Sequence, residues 1–171
     1  GCMTSSSLPL GWTTATVGDL TEFVTSGSRG WAKYYADAGP RFLRVGDLAR
    51  DTVSLDLDEV AHVQPPKGSE GERTRVEPND ILLSITADVG MVGLVPPGLG
   101  EAYVSQHVAL MRPVAGVFAR GLAVSLLDPS GFQSVVRQSQ YGVTKAGLSL
   151  IQVRDFKVRV PPVDEQTRIV D

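Results

Sequence analysis

The chain has 171 residues, of which 42% are hydrophobic and 20% are charged, and its formal net charge is -3. This length holds one domain of ordinary size, and the balanced composition excludes a disordered tail, a collagen-like fibre and a strongly basic arm. The single cysteine, Cys2, excludes an internal disulfide. With two histidines the chain lacks the ligands of the usual zinc sites, although carboxylates for Mg²⁺ or Ca²⁺ are present. No apolar run reaches the roughly 18 residues of a membrane span, so we expect a cytoplasmic protein.

Apolar patterning in the first half predicts few regular elements. Residues 12–26 do not distinguish a strand from a short helix. Three glycines and several aromatic and basic residues make 26–39 typical of an exposed functional loop. Residues 41–45 alternate polar and apolar side chains and predict a half-buried strand. Residues 51–80 hold eight carboxylates against three basic residues, which predicts a solvated connection with little regular structure.

The second half shows clearer periodicity. Two apolar runs, 81–85 and 91–95, predict a β-hairpin with a five-residue loop, and 103–111 predicts a third strand. Beyond Pro113 the spacing predicts two short helices broken at Asp128-Pro129, with Asp128 preceding a proline at the first helical position. Residues 148–160 indicate an amphipathic, strand-rich segment.

Positive charge is concentrated in two stretches. Residues 29–50 carry a net charge of +3 and residues 131–159 carry +4. Both contain glycines and aromatic side chains, a mixture that suits a surface approaching phosphates and bases, although a merely solvated surface also fits. If the two stretches converge on one face to bind a polyanion, the acidic segment 51–80 belongs on the face pointing away.

The sequence lacks complete catalytic motifs. It has neither the glycine-rich cofactor turn nor the Asn/Asp-Pro-Pro-aromatic segment of an amino-methyltransferase. Asp155-Phe156-Lys157 matches half of a metal-nuclease motif, but the nearest proline-linked acid, Asp80, lies 75 positions earlier. Ser105 and His107 lie close in sequence without a nucleophile elbow. We therefore expect no catalytic residues and no metal ligands in this chain.

Seven short motifs occur in the order found in DNA-specificity subunits of type I restriction-modification systems. They are LPLGW at 8–12, VGDL at 45–48, NDILLS at 79–84, YVSQH at 103–107, LMRP at 110–113, YGVTK at 141–145 and VPPVDEQ at 160–166. The ordered set covers nearly the whole chain, which therefore resembles this family.

The resemblance implies a target-recognition domain with an α/β (α+β) fold, mostly β with short helices, similar to the DNA-recognition domain of adenine methyltransferases. Residues 1–7 would form a flexible lead-in, 8–162 the recognition domain and 163–171 the start of a helical spacer. Family members carry two such domains and two spacers, and each domain reads one half of a split target. The chain is therefore expected to be a fragment, or a half-subunit that pairs with another.

The resemblance also implies partners and assigns catalysis to them. Double-stranded DNA would be bound here, while a methylation subunit binds S-adenosylmethionine and flips the target adenine. A restriction subunit, where present, would use ATP and Mg²⁺. A second recognition domain or another copy of the chain is a further expected partner, and a membrane is not. Two alternatives stay open, a noncatalytic protein-interaction module and the recognition domain of another adenine methyltransferase type.

The motif order places candidate DNA loops at 26–35, 86–90, 103–107 and 141–145. Their candidate DNA-binding residues are Ser28, Arg29, Lys33, Tyr34, Thr86, Asp88, Tyr103, Ser105, Gln106, His107, Tyr141, Thr144 and Lys145. Arg29 suits a bidentate contact with guanine and Gln106 one with adenine, each worth about 1–3 kcal/mol of discrimination. Lys33 and Lys145 suit contacts with DNA phosphates, which add affinity without sequence choice. An alternative for 103–107 is a strand whose polar side chains satisfy buried backbone groups.

Overall fold

A computed structural model describes residues 13–142 and 147–160. The strands in these ranges are β1 (Thr13–Thr16), β2 (Thr21–Ser26), β3 (Tyr35–Leu43), β4 (Ala61–Val63), β5 (Ile81–Ser84), β6 (Val92–Leu94), β7 (Ala102–Val104), β8 (Val108–Pro113) and β9 (Lys157–Val160). The helices are α1 (Val17–Leu20), α2 (Ser69–Thr74), α3 (Ala119–Ser125), α4 (Phe132–Gln140) and α5 (Leu150–Asp155), with 3₁₀ turns at Trp31–Tyr34 and Val45–Asp47. The predicted mixed fold, mostly β with short helices, is confirmed.

A four-stranded antiparallel sheet in the order β2-β8-β5-β6 lies at the centre. Its strand β5 is buried on both faces, because Ile81 and Leu83 pack with side chains from the helices while Leu82 packs on the opposite side. On that opposite side lies the three-stranded sheet β4-β3-β7, in which β3 pairs parallel to β7. A strand covered on both faces needs a near-continuous apolar run, which Ile81, Leu82 and Leu83 supply before Ser84 ends the strand.

Two predictions for the second half are confirmed. β5 and β6 form the hairpin, with Ile81 opposite Leu94, although the connection is the seven residues 85–91 and not the predicted five. Helices α3 and α4 are separated at Asp128-Pro129. Asp128, however, does not cap α4 as predicted, since Gly131 precedes that helix and the Asp128 carboxylate accepts a hydrogen bond from the Ser130 amide at 3.0 Å. Asp128 instead stabilises the turn before the helix.

The segment predicted as one strand over 103–111 is two strands in different sheets. A turn at 105–107, closed by the Val108 amide donating to the Ser105 carbonyl at 3.1 Å, separates β7 from β8. The prediction of a strand-rich 148–160 is also wrong in its first half. There the Ser149 hydroxyl and the Gln152 side chain form a reciprocal capping box that starts α5.

Residues 51–80 are more ordered than their acidity predicts. They contain β4 and α2, and the carboxylate of Asp80 is 1% exposed. The loop predicted over 26–39 likewise becomes a strand from Tyr35 onward, because β3 pairs antiparallel with β4. Neither strand is recognisable alone, since each depends on a partner distant in sequence.

Within the described ranges, no helix is long and apolar enough to cross a membrane. The same ranges hold no cluster of three or more side chains of the types that bind metals. The predicted lead-in at 1–7 and the predicted spacer at 163–171 lie outside the described residues, and the domain boundaries stay predictions.

Candidate nucleic-acid interface

Three of the four predicted loops meet at one surface cleft of about 430 Å³, here called the loop cleft. Its lining residues are Ser28, Gly30, Trp31, Ala32, Tyr35, Phe42, Arg44, Val45, Gly46, Ala87, Ser105, Gln106 and His107. Segments separated by up to about 80 positions therefore form one continuous surface.

Aromatic rings form the floor of the loop cleft. The Trp31 indole is 3% exposed and stacks on Phe42, with ring centroids 5.8 Å apart and planes 17° apart. The Tyr35 ring meets Phe42 edge-on at 5.5 Å and is 46% exposed. The floor is thus rigid and apolar, with one ring open to solvent.

Tyr103 belongs to this aromatic cluster and not to the exposed surface. Its ring lies 5.5 Å from Trp31, it is 5% exposed, and its hydroxyl donates to Glu101 Oε1 at 2.7 Å. Burial, with the Glu101 contacts, raises the pKa of Tyr103 to about 12. The Tyr103 ring is therefore used in packing, and its contact with DNA stays a prediction.

A glycine holds the first and third loops together. The Gly27 amide donates to the Ser105 carbonyl at 3.2 Å, and a Cβ atom at Gly27 would lie 2.1 Å from the Val104 carbonyl oxygen. Ser105 is in turn fixed from the other side, since its amide donates to the Leu43 carbonyl at 3.0 Å. Only glycine allows this approach, which explains why the two loops share one cleft.

Polar side chains line the edge where the second and third loops meet. Thr86 Oγ1 is hydrogen-bonded to His107 Nδ1, and Gln106 Nε2 lies 3.1 Å from His107 Nε2. The two ring nitrogens of His107 thus bridge Thr86 of the second loop and Gln106 of the third. Within the described part of the chain, Gln106 Oε1 is buried without a hydrogen-bond partner.

The first loop carries the exposed cations predicted for it. Arg29 and Lys33 are exposed, and Lys33 Nζ lies 5.1 Å from the centroid of the Tyr34 ring. Tyr34 is half-buried and meets Trp31 edge-on at 6.0 Å. Arg44, counted in the first basic stretch but not among the predicted contacts, is exposed and lines the cleft.

The 86–90 loop also lines a second cleft, of about 570 Å³, which is here called the Tyr141 cleft. Ala87 lines both clefts. Asp88 forms an ion pair with Arg50 in the Tyr141 cleft, and Tyr141 is 91% exposed at its rim. The fourth predicted loop therefore meets the second loop through Tyr141, while Thr144 and Lys145 lie outside the described residues.

The two basic stretches converge only in part. Arg137 lines the Tyr141 cleft, whereas Lys157 and Arg159 line a separate groove beside α4 and α5. Arg154 donates to the Val24 carbonyl at 2.8 Å, and Arg41 to the Leu99 carbonyl at 2.5 Å. The convergence expected of the two basic stretches is thus incomplete among the described residues, since Arg154, Lys157 and Arg159 stabilise or flank other parts of the fold.

Several family-like motifs build the scaffold under the loops. The guanidinium of Arg112 makes a bidentate pair with the buried carboxylate of Asp80, at 2.9 and 2.8 Å. This pairing raises the pKa of Arg112, and Asp80 also accepts from the Glu77 amide at 2.7 Å. The Asp47 carboxylate accepts from the Arg44 amide at 2.8 Å, while burial raises its pKa. These carboxylates fix turns and do not reach the cleft.

One residue of the acid-rich segment, Arg73, was missed by the sequence prediction. From α2 its guanidinium donates to Thr25 Oγ1 at 2.5 Å, to the Ser26 carbonyl at 2.8 Å and to Ser28 Oγ at 2.5 Å. No local pattern marks Arg73, because its partners lie more than 40 positions earlier in the chain.

Known proteins share this fold. No protein-family model matches the chain. The specificity subunit of the type I restriction enzyme EcoBI from Escherichia coli is 24% identical over 132 residues, which cover 77% of this chain and 27% of that subunit. The chain therefore spans about a quarter of the length of this curated relative.

Solved structures extend the likeness to almost the whole chain. A chain from a type I restriction-modification system, studied for complex assembly and conformational transition, aligns with a TM-score of 0.72 and 18% identity over 99% of this chain and 39% of its own length. The HsdS subunit from Thermoanaerobacter tengcongensis aligns with a TM-score of 0.68 and 19% identity, over 99% of this chain and 38% of its own length. The S subunit from M. genitalium aligns with a TM-score of 0.64 and 12% identity, over 93% of this chain and 37% of its own length. The predicted resemblance to type I specificity subunits is confirmed, and the chain shares its fold with a part of each of these subunits.

Proposed function

We propose that this chain reads one half of a split duplex DNA target, as a target-recognition domain of a type I restriction-modification specificity subunit. The convergence of three predicted DNA loops on one cleft, in a fold shared with such subunits, carries the proposal. A domain of this kind supplies sequence choice and leaves the chemistry to other chains.

The loop cleft offers the two kinds of group that such reading requires. Base edges are distinguished by hydrogen bonds, and the side chains of Gln106 and Ser28 supply polar groups at the cleft, although a bidentate contact by Gln106 requires its buried Oε1 to turn outward. Phosphates are bound by cations without sequence choice, and Arg29, Lys33 and Arg44 are exposed in or beside the cleft. The cleft therefore brings together, on one surface, cations that add affinity for DNA and polar groups that discriminate between bases.

Catalysis and assembly are assigned to partners within the same proposal. A methylation subunit would bind S-adenosylmethionine and extrude the adenine, and a restriction subunit would use ATP and Mg²⁺. A second recognition domain, or another copy of this chain, would read the other half of the target. The chain alone is then expected to transfer no methyl group to DNA, and methyl transfer without a partner would refute this assignment.

The direct test is selection of duplexes with a randomised segment by the purified chain, at low salt and with a nonspecific polyanion as competitor. We expect enrichment of one short contiguous half-site. Gln106→Ala should lower the discrimination between bases at one position of the half-site by about 1–3 kcal/mol. The control Gln138→Ala, on the exposed surface of α4, should leave this discrimination unchanged. Equal retention of all sequences would refute the proposal, and complete loss of duplex binding to the competitor would favour the protein-interaction module.

A further inference from the structure

Resting on the function proposed above, we propose that Arg73 is a positioning residue for base recognition. Its guanidinium would hold the beginning of the first loop against the cleft and thereby determine which base that loop reads. Arg73 would influence which base is bound without itself contacting DNA.

The geometry of the Arg73 contacts suits this role. One guanidinium binds three oxygen atoms on three residues, at 2.5 to 2.8 Å, where β2 ends and the loop begins. Two of these atoms are side-chain hydroxyls, of Thr25 and Ser28, and the third is the Ser26 carbonyl. Two of the bonds come from Nη1 and one from Nη2, and the single nitrogen of a lysine ammonium does not reproduce this spacing of donors.

The contacts reach the lining of the loop cleft. Ser28, which accepts from Arg73 Nη2, is one of the cleft residues, and Gly27 between the bound positions lies against the Ser105 backbone. The loop is therefore held from two sides, by Ser105 through the backbone and by Arg73 through side chains. With Ser28 fixed, the following residue, Arg29, starts from a defined position.

A competing role for Arg73 is direct binding of a phosphate, since the side chain is exposed. The two roles predict different behaviour of a lysine variant. Lysine keeps the charge that attracts a phosphate but loses the fork that joins three oxygens. Arg75 offers a matched control, because it carries the same charge two positions away and its nearest ion-pair contact, to Glu101, is a long 3.9 Å.

The experiment combines amide hydrogen exchange with duplex selection on the wild-type chain and the variants Arg73→Ala, Arg73→Lys and Arg75→Ala. We expect both Arg73 variants to speed exchange in the first loop by about tenfold or more, because charge-assisted hydrogen bonds are lost. We also expect both to flatten the base preference at one position of the half-site, while Arg75→Ala changes neither.

Ser28→Ala supplies a coupling test. In the Arg73→Ala background, Ser28→Ala should reduce the base preference at the same position little further, because the two side chains act as one unit. Unchanged exchange in Arg73→Ala would overturn the proposal, and so would wild-type base preference in Arg73→Lys, which would instead identify a phosphate contact. If the wild-type chain selected no sequence, the proposed function would fail, while the exchange measurement would still decide whether Arg73 fixes the loop.

Discussion

Replacing Gly27 by alanine tests whether the first and third loops are held in direct contact. The new Cβ atom would lie 2.1 Å from the Val104 carbonyl oxygen and 2.3 Å from the Ser105 carbonyl carbon. Ordinary contact distances for such atoms begin near 3.4 Å, so the loop must move away by more than about 1 Å. This movement would break the hydrogen bond from the Gly27 amide to the Ser105 carbonyl.

Overpacking of this kind costs about 1–3 kcal/mol, and loss of the hydrogen bond adds roughly 1 kcal/mol. We therefore expect Gly27→Ala to lower the free energy of unfolding by about 2–4 kcal/mol. Urea unfolding followed by tryptophan fluorescence is a suitable assay, since Trp31 is buried at the same cleft. Gly46→Ala is the control, because Gly46 lines the cleft and a Cβ there meets no atom within 4 Å. Equal unfolding midpoints for the two variants would refute the reasoning.

Three further predictions concern the scaffold, the aromatic floor and the charged rim. Asp80→Asn should destabilise the chain by about 3 kcal/mol in urea unfolding, because it removes the buried carboxylate charge from the bidentate pair and leaves Arg112 with only the exposed Glu77 carboxylate, at 3.5 Å. Asp88→Asn, at an exposed ion pair, should cost less than about 1 kcal/mol, and equal losses would contradict this reasoning. The pKa of Tyr103, raised to about 12, means that its contribution to stability is complete below its ordinary value of 10.0 and is lost as the pH rises through 12. Wild-type protein should therefore lose about 1 kcal/mol more stability than Tyr103→Phe between about pH 9 and about pH 11, and parallel losses would be the contrary result. Alanine at Arg29 or Lys33 should each reduce the slope of log affinity against log salt concentration by about one, and unchanged slopes would place these cations away from phosphates.

The sequence allowed prediction of elements whose partners lie nearby along the chain. The hairpin of β5 and β6 was predictable because two apolar runs flank a short loop. The break between α3 and α4 was predictable because proline cannot continue a helix. The family-like motifs predicted the whole fold more fully than local patterns did, since they carry information on distant contacts.

Elements that depend on distant partners were missed or misassigned. β4 lies in an acid-rich segment and exists because it pairs with β3. The strand predicted over 103–111 is interrupted because Ser105 pairs with Gly27 and Leu43, which no local pattern can indicate.

The candidate site was predicted in outline. The loop positions followed from the motifs, but the packing role of Tyr103 depends on Trp31, 72 positions earlier. No sequence pattern indicated the role of Arg73, since its three oxygen partners come together only in the folded chain.

The antiparallel pairing of β1 with β9 has a consequence for how such a domain is used in longer proteins. Thr13 lies opposite Val160, so the two ends of the described region are neighbours, separated by about 5 Å between Cα atoms as in any such ladder. Flanking segments of a longer polypeptide can therefore connect to this domain at two adjacent points. Transplanting 13–160 between hosts would disturb little beyond two adjacent junctions, and under the proposed function it would exchange one DNA preference for another.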